Sequence, residues 1–155
     1  MTVRSPAFDP GARIPSRYTC EGDDVSPRLE ISGVPGNAGS LVLIVYDPDA
    51  PIGWFTHWIL YDIPPTTKSI REGAGVRGRG VIEGLGLQGL NDFGFIGYGG
   101  PCPPRGHGVH RYVFLVLALR DKSIGLSAGA GFRQVAERVR GRILAYGYTY
   151  GTYSR

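Results

Sequence analysis

Two acidic side chains follow an apolar run of the sequence, and their spacing could serve a binding site. The run "LVLIVY" leads directly into "DPDAP", the segment that contains Asp47, Asp49 and Pro51. Each proline biases the residue before it towards extended geometry, so this segment is predicted to be a stiff turn at the end of a strand. Asp side chains also cap ordinary turns through their own backbone, so the two carboxylates alone do not define a site.

Two histidines add imidazoles to this pair of acids. His57 lies inside the strand-like run "WFTHWILYD", where a period of two places it on one face with Phe55 and Ile59. A polar side chain on an apolar face needs a hydrogen-bond partner or a functional site. His110 follows the glycine- and proline-rich loop "GYGGPCPPRGHGV" and is expected just before another strand-like run, "YVFLVLAL". Acids and imidazoles are therefore predicted at neighbouring strand ends.

Three kinds of site are compatible with these residues. Two histidines and an aspartate could form a metal-binding triad, but the pair His107 and His110 lies in a loop without a helical face to align it. Cys102 could be a nucleophile with His110 or His57 as its base, yet nothing in the sequence indicates a lowered thiol pKa. The third interpretation is an anion pocket, and it is the one we favour.

An anion pocket would use every part of the pattern. Glycine can release backbone amides that point into a concavity, histidines can donate to phosphate oxygens, and proline keeps a loop from collapsing onto an empty site. The carboxylates would orient the imidazoles or meet the cationic part of a zwitterion such as phosphoethanolamine. We therefore predict a small phosphorylated or anionic ligand, with no metal and no cofactor.

Composition limits the class of protein. The 155 residues suit one domain, residues 1–155, and the net charge of +4 includes no basic run, which disfavours nucleic acid as a partner. No stretch reaches the length needed to cross a bilayer, so a cytoplasmic protein without a transmembrane segment is predicted. Cys20 and Cys102 lack zinc-site spacing. A disulfide between them would close a long loop, but a reducing cytoplasm argues against it, so their pairing is left open.

The elements that must position the site are predicted to be mainly β. Strands are expected at 41–47, 54–62 and 112–119, with shorter ones at 28–31, 80–83 and 146–153. One amphipathic helix is expected from Phe132 to about Ile143, although Gly141 weakens its last turn. Residues 66–100 are glycine-dense and predicted to be mostly irregular. They contain "GLGLQG", which fits a dinucleotide fingerprint but is not followed by a helical sequence, so a flexible turn is the better interpretation.

The sequence resembles the phosphatidylethanolamine-binding protein family, also called the Raf kinase inhibitor-like proteins. The resemblance rests on "DPDAP" followed by "HW", then on "GYGGPCPPRGHGVHRYVF", and it extends to the opening "SPAFDPGARIPSRYTCEGDDVSPRLEISGVP" and the ending "GTYSR". It implies a fold of packed antiparallel β-sheets with a short helix near the C-terminus. It also implies an anion pocket near the surface that binds phosphate-like groups and phospholipid head groups.

The same resemblance assigns ligand-binding residues by matched motif. They are Asp47, Asp49, Pro51, His57, Gly100, Pro101, Cys102, Pro103, Pro104, His110 and Tyr112. His107 receives no role and is expected to face solvent. Family members are regulators more than enzymes, so the resemblance implies a non-enzymatic binding protein that regulates a protein partner, a kinase or a serine protease. Inhibition of serine proteases through an exposed loop is the alternative function.

Overall fold

Nine β-strands and one α-helix make up the computed structural model, which describes all residues 1–155. The strands, in chain order, are β1 Thr2–Arg4, β2 Leu29–Ser32, β3 Ser40–Asp47, β4 Phe55–Ile63, β5 Ser69–Ile70, β6 Val81–Ile82, β7 Gly86–Gln88, β8 His110–Leu119 and β9 Ile143–Tyr153. The helix α1 spans Phe132–Val139, and a short 3₁₀ turn covers Ser16–Tyr18. The predicted mainly β fold with a short helix near the C-terminus is confirmed.

Two antiparallel sheets pack against each other. The larger has six strands in the order β6-β7-β4-β3-β8-β9, and the smaller has three in the order β1-β2-β5. Apolar side chains of β1, β2 and β5 join those of β3, β4 and β8 in one buried cluster between the sheets. A second cluster lies on the other face of the large sheet, where Val135 and Val139 of α1 cover it. The central strands β3 and β4 are mostly apolar because both of their faces are buried.

The helix is shorter than its sequence pattern predicts. It ends at Val139, and Gly141 follows with a φ of +75°, a left-handed conformation that glycine adopts without strain. Ile143 begins β9 instead of ending the helix. The helix is far too short to cross a membrane, and no other helix could do so.

The segment 66–100 is mostly irregular, as predicted, and polar side chains organise it. The buried amide of Asn91 donates to the carbonyl of Gly97 at 2.9 Å and accepts from the backbone amide of Phe93 at 3.0 Å. Gly86 begins strand β7, so the "GLGLQG" sequence leads into a strand and not into the helix that a dinucleotide site requires.

Three neighbouring strands bring the chemistry-bearing residues to one end of the large sheet. Strand β3 lies between β4 and β8 and is antiparallel to both. Asp47 at the end of β3 pairs with Phe55 at the start of β4, and His110 is the first residue of β8. His110 was expected just before this strand, and the structure places it within the strand. An antiparallel arrangement puts the end of one strand beside the start of the next, which is why residues far apart in sequence meet here.

Candidate functional site

A cavity of about 180 Å³ opens where the end of β3 and the starts of β4 and β8 meet the loop before β8. Eleven residues line it: Asp47, Ala50, Pro51, Phe55, His57, Phe93, Cys102, Pro103, Pro104, His110 and Tyr112. Eight of these were predicted from the sequence as ligand-binding residues. A concave, mostly apolar cavity with a few convergent polar groups is typical of small-molecule sites.

Asp47 is the buried carboxylate of the cavity, and both of its oxygens are engaged. Its Oδ1 accepts the backbone amide of Asp49 at 2.7 Å, and its Oδ2 lies 2.6 Å from Nδ1 of His110. The side chains of Asp47 and His110 are almost completely buried. A carboxylate accepts and does not donate, so this contact places a proton on Nδ1 of His110 and leaves Nε2 as the other functional atom of that ring.

His107 occupies that second nitrogen. Its Nδ1 lies 2.6 Å from Nε2 of His110, and its ring is exposed. When both rings are neutral, the Nδ1–H of His107 donates to Nε2 of His110, because His110 already carries its own proton on Nδ1. The expectation that His107 faces solvent agrees with its exposed ring, and its contact with His110 links it to the site, which the sequence did not predict.

His57 is held as a neutral imidazole. Its Nδ1 lies 2.7 Å from the carbonyl oxygen of Gly99, to which it donates, and its Nε2 has no hydrogen-bond partner in the protein. The rings of Phe55, Phe93 and Tyr112 surround it at centroid distances of 5.0 to 5.3 Å. Burial among these rings lowers the pKa of His57 to about 4, because an imidazolium would lose its hydration there. The ring therefore offers a hydrogen-bond acceptor at neutral pH.

Tyr112 supplies an unused hydrogen-bond donor. The residue is 1% exposed, lines the cavity, and has a hydroxyl group without any partner in the protein. Burial, with a further contribution from the Asp47 carboxylate, raises the pKa of this phenol well above its usual range, so the hydroxyl keeps its proton. Buried hydroxyls are normally satisfied, so this one indicates that a ligand or water completes its hydrogen bonding.

Cys102 forms part of the cavity wall through a disulfide bond with Cys20. The pairing that the sequence left open is therefore present in the structure. The backbone of the same wall is tied down as well, since the amide of Cys20 donates to the carbonyl of Pro101 at 3.1 Å. With its sulfur in a disulfide, Cys102 has no free thiol, and the alternative of a cysteine nucleophile does not apply to this state of the protein.

Three predicted ligand-binding residues lie outside the cavity lining: Asp49, Gly100 and Pro101. Asp49 turns towards Arg111, whose guanidinium donates to its two carboxylate oxygens at 2.8 and 2.9 Å. This hydrogen bonding lowers the pKa of Asp49 to about 2. Asp49 therefore fixes the turn after β3 to strand β8, and its negative charge is already neutralised.

The amides of Gly99 and Gly100 are not available to a ligand, although the sequence suggested that glycine amides of this loop would point into the cavity. The amide of Gly99 donates to the carbonyl of His57 at 3.0 Å, and the amide of Gly100 donates to the Asp24 carboxylate at 2.8 Å. These glycines serve close packing instead. A Cβ on Gly100 would lie 2.2 Å from the carbonyl oxygen of Tyr18, so only glycine fits this position.

Sequence reasoning missed three residues of the lining. Ala50 lies in the "DPDAP" turn, and Phe55 lies two residues before His57 on the same face of β4, so both could have been found from their neighbours. Phe93 comes from the irregular segment and contacts the rings of Phe55 and His57. Nothing in the local sequence of Phe93 indicates that position.

Comparison with known proteins agrees with the fold and with the motifs of this site. Residues 4–154 match the profile of the family described as phosphatidylethanolamine-binding protein. A UPF0098 protein of Aquifex aeolicus is 50% identical, and the match covers 100% of this chain and 89% of that protein. A UPF0098 protein of Pyrococcus horikoshii is 49% identical over 97% of this chain and 75% of its own length.

Two solved structures share the fold over nearly their whole length. YbcL of E. coli, described as a member of the mammalian PEBP family, superposes with a TM-score of 0.92 at 33% identity, covering 99% of this chain and 98% of its own. The homologue CT736 of Chlamydia trachomatis superposes with a TM-score of 0.88 at 40% identity, covering 99% and 97%. With the profile match across almost all of its residues, the chain belongs to the phosphatidylethanolamine-binding protein family.

Proposed function

We propose that this protein is a non-enzymatic binding protein whose cavity takes a small phosphate-type group, such as inorganic phosphate or the phosphoethanolamine head group of a phospholipid. The observation that carries the proposal is the buried hydroxyl of Tyr112, which has no partner and lies beside the imidazoles of His57 and His110. An unpaired buried donor is costly in the free protein, and a ligand oxygen would satisfy it.

The size and electrostatics of the cavity support a ligand of this kind. A volume of about 180 Å³ has room for a phosphate group and a few further atoms. The buried carboxylate of Asp47 would also attract an ammonium group, so a zwitterion suits the site. The aromatic rings of Phe55 and Phe93 would pack against the short carbon chain between the two charges.

The bonding of the site residues supports binding more than catalysis. Cys102, the strongest nucleophile that lines the cavity, is in a disulfide. Both nitrogens of His110 are engaged within the protein, and no serine, threonine or lysine lines the cavity. A hydrolase of the nucleophilic type needs an activated nucleophile beside a base, and this arrangement offers a base without one.

A role as regulator of a protein partner, a kinase or a serine protease, is part of the same proposal. Exposed apolar side chains flank the cavity and would contact such a partner, namely Ile52 at 79%, Val109 at 66% and Phe93 at 42% exposure. A cytoplasmic location is also part of the proposal. It is compatible with the disulfide in organisms that keep intracellular disulfides, as hyperthermophilic bacteria and archaea do.

The proposal is tested by adding phosphate and phosphoethanolamine while recording the imidazole and tyrosine NMR signals. We expect the signals of His57, His110 and Tyr112 to shift at millimolar ligand. The Tyr112→Phe variant should bind about ten- to 150-fold more weakly, since it loses one hydrogen bond to a charged ligand, worth about 1.5 to 3 kcal/mol. Tyr153→Phe is the matched control, because Tyr153 is a buried tyrosine of β9 whose hydroxyl bonds Glu21 outside the cavity. If no site signal moves, the proposal is wrong.

Inhibition of serine proteases through an exposed loop stays the alternative prediction. The glycine-dense loops of 66–100 are candidates for this role. They are anchored by Asn91 and by the buried side chain of Gln88, which bonds the carbonyls of Val76 and Arg79. Incubation with chymotrypsin-like and subtilisin-like proteases tests it directly. Loss of protease activity at equimolar protein would support the alternative, and full activity would remove it.

A further inference from the structure

The side chains that line the cavity offer more hydrogen-bond acceptors than donors. No lysine or arginine lines it, and its one charged side chain is the carboxylate of Asp47. His57 donates its only proton to Gly99 and therefore presents Nε2 as an acceptor. Pro103 and Pro104 have no backbone N–H to contribute. An anion normally seeks donors, so this lining restricts which anions fit.

Two neighbouring backbone donors are already used inside the protein, since the amides of Gly99 and Gly100 bond the carbonyl of His57 and the carboxylate of Asp24. The Nε2 of His110 carries no proton and accepts from His107, so it offers no donor either. Among the lining side chains, Tyr112 alone has an unused hydrogen to donate.

Building on the proposed function, we propose that the cavity selects oxyanions that retain a proton, such as the monoanion of a phosphate monoester, over fully deprotonated oxyanions such as sulfates. An anionic oxygen of the ligand accepts from the Tyr112 hydroxyl, while its P–OH group donates to Nε2 of His57. Both residues line the same cavity, and their rings lie 5.3 Å apart between centroids. The ligand thus brings a donor to the acceptor that His57 presents.

Repulsion explains the rejection of a deprotonated anion. Without a proton, such an anion would direct lone pairs at the lone pair of His57 Nε2, and a phosphate dianion would also bring a second negative charge beside Asp47. Sites that hydrogen-bond a ligand's OH group discriminate strongly against an analogue that lacks it, because the protein group is then left unpaired. Phosphate monoesters and sulfate monoesters have the same shape and differ in this proton.

The protein is poorly placed to supply the proton itself. The charged and titratable groups that face His57 are Asp47 of β3, Tyr112 of β8 and Asp92 of the loop after β7. The two carboxylates favour a charged imidazole, but burial outweighs them and keeps His57 neutral well below pH 7. The proton that bridges ligand and His57 at pH 5.5 therefore belongs to the ligand.

Calorimetry with methyl phosphate and methyl sulfate tests the inference. At pH 5.5 methyl phosphate is mostly its monoanion, since the second pKa of such esters is about 6. We expect it to bind at least about tenfold more tightly than methyl sulfate at this pH, and to weaken as the pH rises to 8 and the ester loses its proton. A preference below tenfold at pH 5.5 would overturn the inference while leaving the proposed function intact. Binding of neither ligand would overturn both.

Two variants assign the selectivity to its residues. His57→Leu keeps an apolar side chain of similar size but removes the acceptor, so the preference for methyl phosphate over methyl sulfate should fall to less than threefold. Tyr112→Phe should weaken both ligands and leave their ratio within twofold of the native value, because either anion can accept from tyrosine. Folding of each variant is checked by its NMR spectrum. A His57→Leu variant that is folded and keeps the full preference would contradict the assignment, and so would a changed ratio in Tyr112→Phe.

Discussion

His107 and His110 share a hydrogen bond of 2.6 Å between Nδ1 of the first and Nε2 of the second, although one ring is exposed and the other is buried. Because His110 also bonds Asp47, a chain of three side chains runs from the buried carboxylate to the surface. The Nε2 of His110 carries no proton, so it accepts from His107 and offers no donor to an anion. His107 therefore acts on the cavity through His110, as a residue that occupies one of its nitrogens.

We expect His107→Ala to leave the binding of methyl phosphate at pH 5.5 within about twofold of native. The proposed contacts of the ligand are with Tyr112 and His57, and the variant only frees Nε2 of His110 as a second acceptor for the single P–OH group of the ligand. Calorimetry against the native protein measures this binding, with Arg105→Ala as a control from the same exposed loop. Weaker binding by His107→Ala would instead make His107 a direct ligand of the anion.

His57 should make the protein less stable in acid. Its pKa is about 4 in the folded chain against 6.5 as the ordinary value, so between these values the unfolded chain binds a proton that the folded chain does not. Stability is therefore complete above pH 6.5 and falls as the pH drops through 4, by about 3 kcal/mol in total. Urea unfolding between pH 7 and 4 measures this loss. In His57→Leu the loss should be smaller by that amount, and equal losses in the two proteins would contradict the prediction.

Most of the fold and much of the site could be predicted from the sequence, because they follow from local residue patterns. The strands around Asp47 and His57 are apolar runs bounded by proline or glycine, so their positions follow from pattern alone. The direction of Asp49 could not be predicted, because it depends on Arg111 from a strand about 60 residues away. The sequence also could not show whether Cys20 approaches Cys102, since only tertiary packing brings the two residues together.

The disulfide between Cys20 and Cys102 should contribute strongly to stability. It closes a loop with a sequence separation of 82 residues, and restricting such a loop in the unfolded chain stabilises the fold by about 2 to 4 kcal/mol. The double variant Cys20→Ser with Cys102→Ser should lose this amount in urea unfolding. A reducing agent should lower the stability of the native protein towards that of the variant and leave the variant unchanged. Native stability that is insensitive to complete reduction would contradict the prediction.

Asp49→Asn should test the anchoring role assigned to Asp49. The variant keeps the shape but loses the charge that pairs with Arg111, so we expect methyl phosphate binding within about twofold of native and a stability loss of up to about 1 kcal/mol at pH 7. The pKa of Asp49 is lowered from 3.8 to about 2, so this contribution is present above pH 3.8 and disappears as the pH falls through 2. Calorimetry and urea unfolding measure the two effects. Loss of binding would place Asp49 among the ligand-binding residues after all.

Gly100→Ala should distort the cavity, although Gly100 is not one of the residues that line it. The new Cβ would lie 2.2 Å from the carbonyl oxygen of Tyr18 and 2.5 Å from Oδ1 of Asp24, so the backbone of the wall has to move. Such overpacking costs about 1 to 3 kcal/mol, and the displaced wall should weaken methyl phosphate binding severalfold. Gly36→Ala is the matched control, because a Cβ there meets nothing within 4 Å and its φ is not positive. Unfolding and calorimetry on both variants decide the matter: if Gly100→Ala behaves like Gly36→Ala, the wall is not fixed by this contact.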